Sequence, residues 1–179
     1  SLGIYYSYDS ADNLLSEKDA IGNEISYSYD SKNRLKLISY PHSQTLSYDY
    51  DVAGNIIKIT DQSGNYIAYD YDKYNRIVKV SDTLGNSISY AHEFDNISKI
   101  TDTNGNISYY HYDMAGRMIS FTSPLNAKEY YEYDSKGRVS RKIDANGVQS
   151  DYVFDSQDRI TKITIHSNPQ RVLELSLIH

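Results

Sequence analysis

Eight acidic residues recur at a fixed spacing along the chain, and carboxylates are the groups that calcium sites and hydrolytic acid–base pairs use. They are Asp9, Asp30, Asp51, Asp72, Glu93, Asp113, Asp134 and Asp155. Successive acids lie 21 residues apart, except for one step of 20 residues after Glu93. A catalytic pair would be unique, whereas an acid in every turn suits an Asx turn, in which the carboxylate accepts hydrogen bonds from its own loop. The repetition therefore favours a structural role over calcium binding or hydrolysis.

Two aromatic positions, one and three residues before each acid, are the second candidate for chemistry. They hold Tyr6/Tyr8, Tyr27/Tyr29, Tyr48/Tyr50, Tyr69/Tyr71, Tyr90/His92, Tyr110/Tyr112, Tyr131/Tyr133 and Tyr152/Phe154, which include 14 of the 20 tyrosines. Such a stripe could bind sugar rings by stacking, or could stack across neighbouring strands as part of the fold. Tyrosine hydroxyls need hydrogen-bond partners when buried, so we expect a wet or cavity-facing surface. Structural stacking and ligand binding by some of the rings both stay open.

The positions that follow each acid also repeat. Three residues after it comes glycine or a residue that tolerates a positive φ, at Asp12, Asn33, Gly54, Asn75, Gly116, Gly137 and Asp158. The next residue is Asn or Arg, at Asn13, Arg34, Asn55, Arg76, Asn96, Arg117, Arg138 and Arg159. A second turn position lies eight residues before the acid, at Gly22, Ser43, Gly64, Gly85, Gly105, Asn126 and Gly147. Because the net charge is −6, we expect the arginines to pair with the repeat acids rather than to bind an anion.

Each 21-residue unit is predicted to be a β-hairpin. Its first strand alternates with period two, which places pairs such as Tyr69 and Tyr71 on one face. The aliphatic residues of its second strand lie three apart, as at Ile56 and Ile59, which indicates a β-bulge. The acid lies in the turn between the strands, and a Gly-Asn or Asn-Gly turn closes the unit. The fifth unit is one residue short after Glu93, so we expect a tighter turn there.

Twenty residues at these recurring positions are predicted to define the repeat structurally. They are Tyr27, Tyr29, Asp30, Tyr48, Tyr50, Asp51, Gly54, Tyr69, Tyr71, Asp72, Tyr110, Tyr112, Asp113, Gly116, Arg117, Tyr131, Tyr133, Asp134, Gly137 and Arg138. The predicted fold class is all-β, with tandem β-hairpin repeats in one continuous curved antiparallel sheet that is shell-like or solenoid-like. Residues 1–165 form eight tandem repeats, and residues 166–179 form a degenerate half repeat or a capping strand. Free sheet edges invite association, so we expect self-association or capping by the tail.

The composition excludes several kinds of site. Cysteine is absent, which excludes a disulfide framework, a thiolate metal site and a cysteine nucleophile. Five histidines (His42, His92, His111, His166 and His179) show no metal-ligand spacing, and no HExxH motif, phosphate loop or Ser-His-Asp order occurs. We therefore predict no catalytic residue, no cofactor and no metal. The acidic balance argues against nucleic-acid binding, and no apolar stretch is long enough to span a membrane.

The segments Tyr112–Met118 and Tyr133–Val139 share the pattern Tyr-Asp-x-x-Gly-Arg followed by an aliphatic residue. This unit, in eight tandem copies over nearly the whole chain, resembles the YD repeat of the Rhs family, which includes bacterial Rhs proteins, insecticidal toxin complexes and teneurins. The resemblance implies a β-sheet that winds into a hollow shell, enclosing a C-terminal toxin in the bacterial members, and it implies associations with carbohydrate binding and cell-surface adhesion. Two features depart from the bacterial pattern: the chain has no Asp-Pro pair, and eight units are fewer than a closed shell is expected to need.

The predicted function is that of a non-enzymatic structural segment of a large Rhs-like protein. That protein is expected to be secreted or at the cell surface, in a bacterium, and the segment to form part of a β-sheet shell that encloses or presents a toxin or effector. The alternative is a carbohydrate-binding or adhesion module that uses the tyrosine-rich face. The expected partners are neighbouring YD repeats of a larger protein, further copies joined through sheet edges, an enclosed toxin or effector, and glycans. Neither nucleic acid nor a membrane span is expected.

Overall fold

The computed structural model describes residues 3–166 of the 179-residue chain. The chain divides into two compact units, Ser1–Ile88 and Ser89–His179. The predicted half repeat or capping strand at 166–179 lies outside the described residues, apart from His166 at the end of the last strand. Within the described part, no helix is long and apolar enough to cross a membrane.

Eight strands form the first unit, and strands of this unit that are consecutive in the chain pair antiparallel. They are β1 (Tyr5–Tyr8), β2 (Leu14–Lys18), β3 (Glu24–Tyr29), β4 (Leu35–Ser39), β5 (Thr45–Tyr50), β6 (Ile56–Asp61), β7 (Tyr66–Tyr71) and β8 (Ile77–Asp82). A short 3₁₀ turn, Pro41–Ser43, connects β4 to β5. The unit is thus a series of hairpins in chain order.

The second unit repeats this arrangement with eight more strands, again antiparallel and in chain order. They are β9 (Ser87–Glu93), β10 (Asn96–Thr101), β11 (Ile107–Tyr112), β12 (Met118–Thr122), β13 (Lys128–Tyr133), β14 (Val139–Ile143), β15 (Gln149–Phe154) and β16 (Ile160–His166). The prediction of an all-β chain of tandem antiparallel hairpins is therefore confirmed.

Most tyrosines of the Tyr-x-Tyr pairs lie opposite apolar residues of the next strand, with Tyr6 opposite Glu17 and Tyr131 opposite Lys142 as exceptions. Tyr48 lies opposite Ile59, and Tyr50 lies opposite Ile56. Asp49, between the two tyrosines, lies opposite Lys58. Since side chains alternate along a strand, one face of the hairpin carries tyrosine and aliphatic side chains and the other carries polar ones.

A β-bulge explains the spacing of three between the aliphatic residues of the second strand. The register changes between Asp49 and Tyr50, so Ile57 is an extra residue on β6. The same shift occurs at the start of the second strand in every hairpin. The extra residue returns Ile56 and Ile59 to the tyrosine face, which confirms the predicted bulge.

Both turns of the repeat are built in the same way. In the second turn, the Gly64 amide donates to the Asp61 carbonyl at 3.1 Å, and the Asp61 amide donates to the Asn65 carbonyl at 2.8 Å. This is a three-residue loop whose last residue is left-handed, with a φ of 83° at Gly64. The loop is therefore longer than a Gly-Asn dipeptide. All the residues predicted to adopt a positive φ at the two turn positions do so, including the non-glycine ones.

The turn between β9 and β10 is shorter than the others. Glu93 pairs directly with Asn96, which leaves only Phe94 and Asp95 in the loop. Phe94 has a φ of 50°, a region that bulky residues rarely adopt. The prediction of a tighter turn in the fifth repeat is confirmed.

Substitution of Gly64 by alanine tests the left-handed turn position. Gly64→Ala is expected to lower the free energy of unfolding by about 1–2 kcal/mol, because L-residues are strained at a positive φ. A Cβ added at Gly64 would meet no atom within 4 Å, so the loss has a backbone origin. The matched change Asn75→Gly, at a φ of 61°, is expected to alter stability by about 0.5 kcal/mol or less. Urea denaturation measures both, and equal losses would contradict this explanation.

Neither unit encloses a dry core. No residue in the range 3–166 is fully buried, and most strand residues on the tyrosine face are half-buried. This agrees with the wet surface expected for a tyrosine-rich face. Stability must therefore come largely from the strand ladders, the turns and the contacts between neighbouring side chains.

Candidate functional site

The twenty residues predicted to define the repeat lie at three kinds of position. The tyrosines lie on the first strand of each hairpin, the aspartates begin the first turn, and the glycines and arginines end it. The strands therefore fix the tyrosine rows, and the turns fix a row of acids and cations at one end of the strands. Within residues 3–166, no group of three or more His, Cys, Asp or Glu side chains is placed to hold a metal ion.

The repeat aspartates hold the first turns closed. Oδ1 of Asp72 accepts hydrogen bonds from the backbone amides of Tyr74 at 2.8 Å and Arg76 at 3.1 Å. Amides two and four residues after the acid make the same pair of bonds at Asp9, Asp30, Asp113, Asp134 and Asp155. This is the Asx turn that the spacing predicts.

A second set of aspartates closes the turns at the other end of the strands. Oδ1 of Asp61 accepts hydrogen bonds from the amides of Ser63 at 2.8 Å and Asn65 at 2.9 Å. Equivalent bonds form at Asp19, Asp82, Asp102 and Asp144. Reasoning from the 21-residue register misses these acids, although an aspartate three residues before most second-turn glycines is visible in the sequence. The unit thus consists of two related halves, each ending in an Asx turn.

In seven of the eight first turns, the Asn or Arg that follows the left-handed position donates to the repeat aspartate and stabilises its ionised form. The hydrogen bond from the Arg34 side chain lowers the pKa of Asp30 to about 2. Where asparagine replaces arginine, its side-chain amide acts in the same direction: Asn55 donates to Asp51 at 2.9 Å and lowers its pKa. Arginine and asparagine can therefore both serve at this position, because the side chain of either can donate to the acid.

The arginines also reach the following hairpin. Arg34 holds Asp30 through Nε at 2.8 Å and Nη2 at 2.7 Å, while Nη1 donates to the Asp51 carbonyl of the next repeat at 3.1 Å. Its guanidinium carbon lies 4.3 Å from the centre of the Tyr50 ring. Arg117 and Arg138 lie over the equivalent rings of Tyr133 and Phe154. The predicted pairing of arginines with repeat acids is confirmed. Three of these arginines, Arg34, Arg117 and Arg138, also connect consecutive repeats.

The second tyrosine of five of the pairs forms another contact between hairpins. The Tyr71 hydroxyl donates to the Ile56 carbonyl, 15 residues earlier, at 2.8 Å. The same bond forms from Tyr29, Tyr50, Tyr112 and Tyr133. Stacking between aromatic rings also occurs, as at Tyr110 and Phe121, whose centres lie 5.2 Å apart. The second tyrosine row therefore acts through its hydroxyls as well as its rings.

Removal of one hydroxyl tests this contact. Tyr71→Phe is expected to lower the free energy of unfolding by about 1 kcal/mol, because the Ile56 carbonyl loses its donor. The control is Tyr69→Phe on the same strand, whose hydroxyl has no hydrogen-bond partner among residues 3–166 and whose loss should change stability by less than about 0.5 kcal/mol. Urea denaturation distinguishes the two. If Tyr69→Phe is as harmful as Tyr71→Phe, the hydroxyl bond is not the stabilising feature.

Charged side chains on the polar face of the second unit form a network around Arg141. Arg141 binds Asp151 through Nε at 2.7 Å and Glu132 through Nη1 at 3.2 Å. His166 Nε2 lies 2.8 Å from Asp151 Oδ2. The hydrogen bond from Arg141 lowers the pKa of Asp151 to about 2. These residues face one another across β13, β14, β15 and β16 and support strand pairing.

Two family profiles match the sequence. The profile described as Teneurin YD-shell matches residues 41–175, and the profile described as RHS Repeat matches residues 8–45. A comparison with curated proteins found no match. The first profile covers more than half of the chain.

Solved structures of toxin complexes share the fold. The Tc holotoxin pore of Photorhabdus luminescens, solved with a mutation in TccC3, matches 93% of this chain with a TM-score of 0.62 and 14% identity. The TcdB2-TccC3-Cdc42 complex matches 94% with a TM-score of 0.53 and 13% identity, and the TcdB2-TccC3 complex matches 94% with 0.53 and 12%. The chain spans 11–12% of the length of those chains. With the hairpin repeat, its turn chemistry and the profile match in agreement, the chain belongs to the teneurin YD-shell family.

Proposed function

We propose that this chain is a non-enzymatic wall segment of a larger YD shell that encloses or presents a toxin or effector. The observation that carries the proposal is the set of contacts joining each hairpin to the next, such as the Tyr71 hydroxyl on the Ile56 carbonyl and Arg34 on the Asp51 carbonyl. Because these contacts recur with the repeat, a sheet built this way extends by adding hairpins and needs no separate core. A wall that is one sheet thick has no separate core, so it requires a sheet that is stabilised by contacts between consecutive hairpins.

The two faces of the hairpins support a role as a partition. One face carries tyrosine and aliphatic side chains, as at Tyr48 and Ile59, and the other carries charged ones, as at Asp49 and Lys58. A sheet with such faces presents different chemistry to the two volumes that it separates. In this proposal residues 1–165 contribute eight equivalent repeats.

The state of the acids supports a non-enzymatic role. Twelve aspartates at the two kinds of turn accept hydrogen bonds from their own loops, and in each of them the pKa is lowered. General acids and bases work best with a pKa near the operating pH. Carboxylates held ionised in this way are suited to turn closure rather than to proton transfer.

The matched structures support the proposal of a toxin or effector as the cargo. They are described as a holotoxin pore and as complexes of TcdB2 and TccC3. Because this chain spans only 11–12% of their length, we assign to it one stretch of wall, with further repeats and the cargo supplied by a longer polypeptide or assembly. We also propose that the longer polypeptide is secreted or displayed at the cell surface.

Cryo-electron microscopy of the full-length polypeptide that contains this sequence tests the proposal. The expected result is a hollow particle in whose wall these hairpins lie beside further repeats, with additional density inside. An open rod or a solid domain, with no enclosed volume, would overturn it. Antibody detection of the polypeptide in the medium or on intact cells tests export separately.

Carbohydrate binding by the tyrosine face is the second candidate function. The first tyrosines of several pairs, among them Tyr48, Tyr69 and Tyr110, are half-buried and have hydroxyls without a hydrogen-bond partner among residues 3–166. Such rings can stack on a sugar while the hydroxyl bonds to it. A glycan array run with the chain and with Tyr48→Ala/Tyr69→Ala should show binding that the variant loses while it stays folded. Absence of binding to every glycan would exclude this function.

A further inference from the structure

The fifth repeat departs from the turn chemistry of all the others. The other seven repeat acids each accept hydrogen bonds from their own turn, whereas the Glu93 carboxylate has no hydrogen bond or ion pair within residues 3–166. Asp95, in the shortened loop, is also exposed and likewise unpaired within that range. Glu93 and Asp95 therefore do not close a turn as the other repeat acids do, and their carboxylates are open to another role.

A groove lies at this departure, between the fifth and sixth first turns. Its volume is about 640 Å³, and its walls are formed by Glu93, Phe94 and Asp95 on one side and by Tyr112, Met114 and Gly116 on the other. This volume is within the roughly 300–1,000 Å³ that is typical of ligand sites. The groove is therefore large enough to take two adjacent side chains.

Two large apolar side chains project at the rim of the groove. Phe94 is 88% exposed and Met114 is fully exposed. Both directly follow a repeat acid, and most other repeats have serine or lysine at this position, namely Ser10, Ser31, Lys73, Ser135 and Ser156. Val52 is the remaining apolar residue at the position, and the two adjacent repeats have Ser31 and Lys73 there. The pair at 94 and 114 is thus an apolar patch that the repeat itself does not require.

The charge of the groove is negative on one wall. On the other wall, Asp113 is paired with Arg117 at 2.6 Å, so its charge is compensated. The carboxylates of Glu93 and Asp95, which adjoin Phe94 in the chain and line the same groove as Met114, therefore remain uncompensated within residues 3–166. An occupant of complementary chemistry carries a positive charge beside a large apolar group.

We propose that this groove binds a peptide segment in which a basic side chain lies next to a large apolar one. The apolar side chain packs between Phe94 and Met114, and the basic side chain pairs with Glu93 and Asp95. A peptide suits the open groove because neighbouring residues supply the two chemistries at the required short separation. This site is independent of the role as a shell wall, since it occupies the turn edge rather than either face of the strands.

Nuclear magnetic resonance titration of the chain with three hexapeptides tests the proposal. The probes are Gly-Lys-Leu-Arg-Gly-Ser, a version with glutamate in place of lysine and arginine, and a version with serine in place of leucine. The first peptide is expected to shift the amide signals of Glu93–Asn96 and Asp113–Gly116 in a saturable way at about 1 mM or below. The glutamate peptide is expected to cause no shift, and the serine peptide to bind about tenfold more weakly.

Matched variants complete the test. Glu93→Gln/Asp95→Asn is expected to weaken binding about 5-fold and to remove its dependence on salt. Met114→Ala is expected to weaken binding about 5-fold, whereas Val52→Ala, at the same repeat position but in the first unit, is expected to leave it unchanged. Absence of saturable shifts, shifts confined to the tyrosine face, or equal losses from Met114→Ala and Val52→Ala would each overturn the proposal.

Discussion

Tyr50→Ala is expected to lower the free energy of unfolding by about 3.5 kcal/mol, a larger loss than from any single change to a turn. Tyr50 donates its hydroxyl to the Leu35 carbonyl at 2.7 Å, and its ring lies 4.3 Å from the Arg34 guanidinium carbon. It also packs opposite Ile56 on its own hairpin. Alanine removes all three contacts and leaves the carbonyl without its donor.

The magnitude follows from the half-buried state of the side chain. Truncation of a fully buried aromatic residue costs about 3–5 kcal/mol, so a half-buried ring accounts for roughly 2 kcal/mol. The hydroxyl bond adds about 1 kcal/mol and the contact with the cation about 0.5 kcal/mol. Because Tyr50 joins the hairpin β3–β4 to the hairpin β5–β6, the loss falls on the interface between repeats, where repeat proteins hold much of their stability.

Urea denaturation, followed by circular dichroism and by tyrosine fluorescence, measures this effect. Tyr50→Phe keeps the ring and should lose only about 1 kcal/mol. Tyr74→Ala removes a tyrosine that is 65% exposed in a turn of the same unit and should cost about 0.5 kcal/mol or less. A similar loss from Tyr50→Ala and Tyr74→Ala would mean that the contacts between hairpins do not stabilise the sheet.

The features that sequence predicts well are those that depend on one residue and its nearest neighbours. A left-handed φ is restricted to a few residue types, so Gly54 and Asn75 identify their turn positions directly. The spacing of Ile56 and Ile59 likewise identifies a bulge, because a strand with period two cannot otherwise place both on one face. The strands, their order and the arginine–acid pairs follow from the same local patterns.

The contacts between hairpins could not be predicted in this way. The bond from Tyr71 to the Ile56 carbonyl joins backbone and side chain across two hairpins, and a carbonyl is present at every position, so the acceptor leaves no mark in the sequence. Phe154, at the equivalent position, shows that the position also accepts a residue with no hydroxyl. A repeat register that is counted from the aromatic pairs does not identify the second set of turn aspartates, because no aromatic pair precedes their turns.

The unpaired carboxylate of Glu93 could be predicted from the sequence only in part. Deletion of one residue predicts a shorter loop, and the structure confirms it. That the acid then loses its turn partners depends on where the loop amides point, because an Asx turn needs amides two and four residues beyond the carboxylate. Local sequence shows the irregularity, while only the three-dimensional turn shows that it leaves a carboxylate beside an apolar patch.

Acidification is expected to unfold the protein cooperatively between about pH 4 and pH 2. The turn aspartates have a lowered pKa in the folded chain, which reaches about 2 at Asp30 and Asp72. In the unfolded chain an aspartate titrates near about 3.9. The unfolded state therefore binds more protons across this window, and the stabilisation present above about pH 4 is lost as the pH falls through the folded values. Twelve turn aspartates shift in the same direction, so their losses act together.

The contribution of the turns can be separated from general charge repulsion at low pH with Asp30→Asn/Asp72→Asn. Asparagine can still accept the loop amides through its oxygen, but it cannot form the ion pairs with Arg34 and Arg76. The variant is expected to have a lower urea midpoint than the parent at pH 6, and the difference should shrink as the pH falls from about 4 towards the acid transition, because the parent loses the stabilisation of its ionised carboxylates over this range. A difference that stays constant from pH 6 to about pH 3 would contradict the assignment, because it would show that the ionised state of these carboxylates does not stabilise the turns. If the urea midpoints of parent and variant converge as the pH falls, the loss of stability in acid arises from the turn aspartates. These aspartates lie in the same turns whose arginines contact the next repeat.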